Sequence, residues 1–140
     1  MKTALLSIHE QYAAKIFAGT KRFEFRRRAP EMDTPIRFLV YVPGRRRLAG
    51  EMRVNKILEG RPSTIWRKTR AKAGITKKEF DAYFDGRDVA YAYAIGRVKE
   101  YDEQPTLGEL RQVIPGGFYP PQYLRWVNPS YLAAVEQVAG

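Results

Sequence analysis

The chain contains no cysteine and a single histidine, His9. The first absence removes disulfides and thiolate metal sites, and the second argues against a zinc hydrolase or a histidine-based triad. No apolar run approaches the ~20 residues that a membrane span requires. The opening MKTALLSIHEQY meets charge too soon after its short apolar stretch for a secretory signal. A cytoplasmic location without a membrane partner is therefore the expectation. Acid is also scarce where base is abundant. Residues 1–99 hold 23 Lys and Arg against 10 Asp and Glu, whereas residues 100–140 hold two against five.

What is present is enough for one folded domain over residues 1–140. An apolar fraction of 44% and an aromatic fraction of 13% support a sizeable core rather than disorder. The net charge of +10, concentrated in the first two thirds, attracts polyanions and makes their binding salt-dependent. Nucleic acid is the expected partner; the alternatives are another anionic partner, or a soluble protein that happens to be basic and binds no polyanion.

Local patterns predict an α+β fold. TALLSI reads as a strand, and SIHE has the form of a capping box in which Ser7 accepts from the Glu10 amide. The helix that follows sets Tyr12, Ala13, Ile16 and Phe17 on one face and stops at Gly19. KRFEFRR alternates, with Phe23 and Phe25 opposed to Arg22, Glu24 and Arg26. IRFLVYV is apolar on both faces, as in a central strand. LAGEMRVNKILE alternates again, with Leu48, Met52 and Val54 opposed to Glu51, Arg53 and Asn55. Residues 62–86 turn helical: a helix from a Ser63 cap to Gly74, then one opened by the capping box TKKE, pairing Phe80 with Phe84 and ending at Gly86. VAYAYAIGRVKEY returns to period two, its small face Ala90, Ala92, Ala94 and Gly96, its large face Val89, Tyr91, Tyr93 and Ile95. PGGFYPPQYLRW is too rich in proline for regular structure, and NPSYLAAVEQV reads as a short helix capped by Asn128. This order predicts a small mixed β-barrel decorated by helices.

Most of the chemistry-bearing residues carry a functional reading and a plain structural one. Glu24, set among cations, can fix guanidinium groups by pairing, accept from the exocyclic amine of a base, or belong to an ordinary salt-bridge ladder on a solvated sheet face. Residues 61–78 contain seven basic groups and no acid. Trp66 beside Arg67, Lys68, Arg70 and Lys72 gives either a stacking platform on a phosphate-tracking stripe or a core tryptophan under a solvated face. Tyr91, Tyr93 and Tyr101 can stack unpaired bases or fill the interior. Gln122, held by Pro120 and Pro121, reads a base edge or belongs to a chain reversal. The arginines at 45–47 suit a solvent-facing turn, and His9 suits a surface or capping position.

The stretch SIHEQYAAKIFAGTKRFEFRR resembles the opening of ASCH domains, members of the PUA-like superfamily. Their mark is the pattern G-x-K-x-x-[ET]-x-R after a helix, matched here by Gly19, Lys21, Glu24 and Arg26. The later WRKTRAKAGITKKEFDAYFDGRDVAYAYAI and PPQYL are similar to a subgroup described as predicted transcriptional regulators with a PUA-like domain. The resemblance implies a PUA-like barrel with a cleft between barrel and helices, and RNA or modified-base binding. One small ASCH branch hydrolyses N4-acetylcytidine with the Lys, a Thr in the Glu24 position and a separate Glu. A carboxylate cannot simply replace that hydroxyl as an acyl acceptor, although Glu24 can still act as a base on water with Lys21 tuning it. The expected function is a nucleic-acid-binding module, RNA favoured over DNA, with a cleft for one unstacked or modified nucleotide. In it Lys21, Arg22 and Arg26 meet phosphate or a carbonyl, Glu24 orients them or pairs with an amino edge, Trp66, Arg67, Lys68 and Arg70 track the backbone, and Tyr93 and Gln122 shape the pocket. The alternative is a metal-independent ribonuclease or a nucleoside amidohydrolase with Lys21 and Glu24 as catalytic residues. Neither reading calls for a cofactor or metal.

Overall fold

The computed structural model describes residues 1–33 and 35–140. Its elements run β1 (Lys2–Ser7), α1 (Glu10–Ala18), β2 (Phe23–Arg26), β3 (Ile36–Val42) and β4 (Arg47–Gly60). Then come α2 (Pro62–Thr69), a 3-10 turn at Arg70–Lys72, α3 (Lys77–Tyr83), β5 (Ala90–Glu100), α4 (Leu107–Val113), β6 (Leu124–Val127) and α5 (Pro129–Glu136). The strands form one six-stranded sheet in the order β2-β5-β4-β3-β1-β6. Among the described residues β1 and β3 pair in parallel and the other strand pairs are antiparallel.

The expected barrel is approached without being closed by its ladder, since β2 and β6 remain as edges. In a flat sheet, four strand spacings of about 4.8 Å would part β2 from β1 by about 19 Å, beyond the reach of any side chain. Yet Arg26 Nη2, at the end of β2, donates to the Ser7 carbonyl at the end of β1 over 2.8 Å. The sheet therefore curls, and a guanidinium spans the gap that backbone hydrogen bonds leave.

Three apolar clusters hold the elements together. The first lies under α1, where Ala13 and Ile16 meet Leu6, Phe38, Val40, Met52, Val54 and Tyr93. The second, on the opposite face, packs α4 and α5 against Leu5, Leu39, Tyr41 and Leu48. β3 thus buries both faces, as its sequence requires. The third joins α2 and α3 to the β2–β5 end: Phe25, Ile65, Phe80 and Phe84 sit over Ala90 and Ala92. The small face of β5 lets these helices approach while its large residues, Tyr93 and Ile95, face the first cluster.

Four local expectations are corrected. Ser7 ends β1 and caps nothing; His9 is the residue before α1, and it makes no side-chain capping bond. Arg61, not Ser63, precedes α2, whose first turn starts with Pro62. Leu48 lies on the face opposite Met52 and Val54, because the β3–β4 register skips Ala49 between Val40 and Tyr41 and so inverts the alternation. The proline-rich tail segment contains β6, which pairs with β1, and a capping box at Thr106 and Glu109 opens the additional helix α4. The capping box at Thr76 and Glu79 and the Asn128 cap form as expected.

Candidate functional site

The gap spanned by Arg26 opens into a cavity of about 300 Å³. It lies beyond the ends of the parallel strands β1 and β3. Ser7, Ile8 and His9 supply one wall, Pro43 another, and α1 contributes Tyr12. β2 and the residues before it add Lys21, Glu24, Phe25 and Arg26; Ile75, Glu79 and Tyr83 come from the α3 region and Gln122 from the tail.

The end of α1 sets Lys21 in place. Gly19 adopts φ 85°, which a side chain would resist, and turns the chain back. The Thr20 and Lys21 amides then both donate to the Lys15 carbonyl, at 3.0 and 3.1 Å. The Lys21 side chain is buried; its Nζ donates to the Ala73 carbonyl at 2.7 Å and stands 4.8 Å from the Phe25 ring centroid and 5.3 Å from that of Tyr12. Gly74, at φ 68°, makes that closeness possible, because a Cβ there would come within 2.5 Å of Lys21 Cβ. Burial lowers the Lys21 ammonium from its ordinary 10.5 to about 8, against the opposing pull of the Glu24 carboxylate.

Glu24 and Arg26 share one face of β2, opposite Phe25. Arg26 Nε and Nη2 both donate to Glu24 Oε2, at 3.0 and 2.7 Å. Among the described residues no donor meets Oε1, and the second Arg26 terminal nitrogen has no acceptor. Ser7 Oγ is buried with no hydrogen-bond partner there either. The wall thus offers one fixed acceptor beside fixed donors, ringed by Tyr12, Phe25 and Tyr83. Among the described residues no three His, Asp or Glu side chains stand close enough to hold a metal ion.

Of the sequence-predicted residues, Lys21, Glu24, Arg26 and Gln122 meet in the cavity. Arg22 does not, because regular alternation begins only at Phe23; its backbone instead bonds Lys72 and Ile95. Tyr93 is buried at 0% exposure and does not line the pocket; its hydroxyl donates to the Arg28 carbonyl at 2.6 Å. Trp66 is half-buried against Phe80, 5.1 Å between ring centroids, and so serves the third cluster rather than an open platform. Arg67, Lys68 and Arg70 are exposed along α2 and the turn after it. Sequence reading missed Ser7, Tyr12, Glu79 and Tyr83 as cavity residues. The TKKE box did signal where Glu79 would be held, but no local pattern reveals that α3 comes to rest across β2.

The profile of the ASCH domain matches residues 6–114. This chain belongs to the ASCH domain family. An ASCH domain-containing ribonuclease of Zymomonas mobilis is 29% identical over 132 residues, covering 91% of this chain and 85% of that protein. The large ribosomal subunit protein uL22 of Ureaplasma parvum is 29% identical over 126 residues, or 89% of this chain, which spans only 40% of that protein. The crystal structure of ASCH from Zymomonas mobilis superposes with a TM-score of 0.91 at 24% identity, covering 99% and 96% of the two chains. The N-terminal domain of Staphylothermus marinus McrB gives a TM-score of 0.65 at 14% identity over 96% and 93%. The fold is thus the α+β fold of ASCH domains. Within the ASCH match, Gly19, Lys21, Glu24 and Arg26 become physically intelligible: the glycine turns the chain, and the other three converge on the cavity. Gln122 lies outside the matched residues and reaches the same cavity from the tail.

Proposed function

We propose that this ASCH domain binds RNA and takes one unstacked nucleotide into the cavity between β1, β2 and α3. The observation that carries the reading is the pairing of a fixed acceptor, Glu24 Oε1, with the donors of Arg26 and Lys21 inside aromatic walls. That is the complement of a base edge carrying an amine beside a carbonyl. A volume of about 300 Å³ suits one nucleotide and excludes a duplex. The exposed cations of α2 and the turn after it supply a path for the backbone outside. The names of a ribonuclease and a ribosomal protein among the relatives support RNA as the polymer. Binding of labelled single-stranded RNA in EDTA tests the proposal. Glu24→Gln, which alters the acceptor while keeping its shape, is expected to weaken binding at least tenfold, or about 1.4 kcal/mol; unchanged affinity would sink it.

The relative named as a ribonuclease, together with a lysine poised to lose its proton near pH 8, favours a second reading in which the bound strand is cut. Glu24 would take the proton from a ribose 2′-hydroxyl, the 2′-oxygen would attack phosphorus, and Lys21 would protonate the departing 5′-oxygen. The products are a 2′,3′-cyclic phosphate and a 5′-hydroxyl. Cleavage in EDTA that disappears in Glu24→Gln and Lys21→Met would establish this reading, and tight binding without turnover would exclude it.

A further inference from the structure

Three consecutive arginines leave the end of β2 in three directions. Arg26 enters the cavity. Arg27 goes to the α3 wall: its Nε and Nη2 donate to the Tyr83 carbonyl at 2.9 and 2.7 Å, and its guanidinium carbon lies 4.3 Å from the Tyr83 ring centroid. Arg28 goes to the tail wall, its guanidinium carbon 4.3 Å from the ring centroid of Tyr123, the residue after cavity-lining Gln122. Both side chains are exposed, and neither forms an ion pair among the described residues. Their backbone is nonetheless held, because the buried Tyr93 hydroxyl donates to the Arg28 carbonyl.

We propose that Arg27 and Arg28 form a phosphate clamp on the rim of the cavity, so that its ligand is a nucleotide carrying flanking phosphates, as within an RNA strand, and not a free nucleoside. The inference rests on the nucleotide reading of the cavity and adds which chemical form enters. A guanidinium held 4.3 Å from an aromatic ring centroid keeps for a ligand the donors that its own chain does not use. Among the described residues Arg28 retains all of its donors, and Arg27, whose Nε and Nη2 meet the Tyr83 carbonyl, retains those of Nη1. That suits charge-assisted contact with phosphate. One such group beside Tyr83 and another beside Tyr123 match a backbone that passes both before and after an inserted base. An unpaired cation placed this way does not add to folding through any acid of its own chain. Its geometry makes sense for a ligand.

The test compares the four ribonucleosides with their 3′,5′-bisphosphates by calorimetry, on the wild-type chain and on Arg27→Met, Arg28→Met and the double variant. The bisphosphates should bind at least about tenfold more tightly than the nucleosides in the wild type, as expected for charge-assisted contacts. That advantage should shrink to under about threefold in the double variant, with nucleoside affinity unchanged. Arg28→Met alone, at an exposed position whose side chain makes no hydrogen bond among the described residues, provides the same comparison should loss of the Arg27–Tyr83 contacts disturb α3. Equal affinity for nucleoside and bisphosphate, or displacement of the bisphosphate by inorganic phosphate at equal concentration, overturns the clamp alone. Failure to bind either form overturns the cavity reading and the clamp with it.

Discussion

Lys21 is an expensive residue for a domain of this size, because it removes an ammonium from water to a carbonyl and aromatic faces, and the attraction of Glu24 offsets that cost only in part. Its folded-state value of about 8 lies below the 10.5 of the open chain. Between these values the unfolded chain holds more protons, so the contribution of Lys21 to stability increases as pH rises from 8 to 10.5. Below pH 8 both states are protonated and the full burial cost applies, on the order of 3 kcal/mol. Wild-type stability should therefore rise relative to Lys21→Met across that window in chemical denaturation at stepped pH. Parallel curves would show that the ammonium is solvated. RNA affinity should follow the opposite direction. If the charged form meets the ligand, affinity falls as pH is raised through 8, and in Lys21→Met this fall is absent. Glu24 is a different case: its Oε2 is committed to Arg26, so Glu24→Gln weakens a fixed pairing as well as altering Oε1. Circular dichroism and melting of that variant separate the two effects, since loss of affinity at preserved melting temperature points to the free oxygen.

At the scale of elements, the segment from the 3-10 turn to α3 does most to shape the site, because it supplies both the carbonyl on Lys21 and the Tyr83 wall. Gly74→Ala should cost about 1–3 kcal/mol through its positive φ, and the clash with Lys21 should lower RNA affinity beyond that loss of stability. Urea titration and binding at a temperature where the variant is fully folded measure the two separately. Phe80 is buried among Phe25, Trp66 and Phe84, so Phe80→Ala should cost roughly 3–5 kcal/mol. These elements differ in how far sequence revealed them. Period-two patterning marked β2, β4 and β5, and a run apolar on both faces marked β3, whereas nothing in the small face of β5 said that helices would pack there. The TKKE box and Asn128 marked helix starts, because capping is a local hydrogen-bond matter. Register was not local: the skipped residue at Ala49, which turns Leu48 over, depends on how β4 meets β3. β6 was hidden behind prolines, since only pairing with β1 makes Leu124–Val127 a strand. The same division runs through the site. The G-x-K-x-x-E-x-R spacing exposed Lys21, Glu24 and Arg26, whereas Ser7 and Tyr83 join them only through the curl of the sheet and the docking of α3.

For the whole molecule, the decisive quantity is where the charge of +10 lies. The carboxyl-terminal residues 100–140, which include α4 and α5, are acidic on balance, with five Asp and Glu against two Arg. The basic excess therefore belongs to the sheet and the helices that flank the cavity, and α2 with its following turn exposes Arg67, Lys68, Arg70 and Lys72 in close succession. A strand whose base is held in the cavity has phosphates further along its backbone for these cations to meet. Counterion release then sets a slope of log affinity against log salt of about −0.7 per neutralised phosphate on a single strand. Replacing Lys68, Arg70 and Lys72 by Gln should reduce the steepness of that slope by about 2 if all three meet phosphate. Affinity for a single nucleoside should stay the same, because none of the three lines the cavity. Arg111→Gln, an exposed substitution on α4 within the acidic part of the chain, is the control and should leave the slope unaltered. Equal reduction by both would mean that RNA responds to net charge and follows no path over α2. A slope that the triple substitution leaves intact would move the backbone to another face of the sheet, with the arginines at 45–47 the next group to substitute.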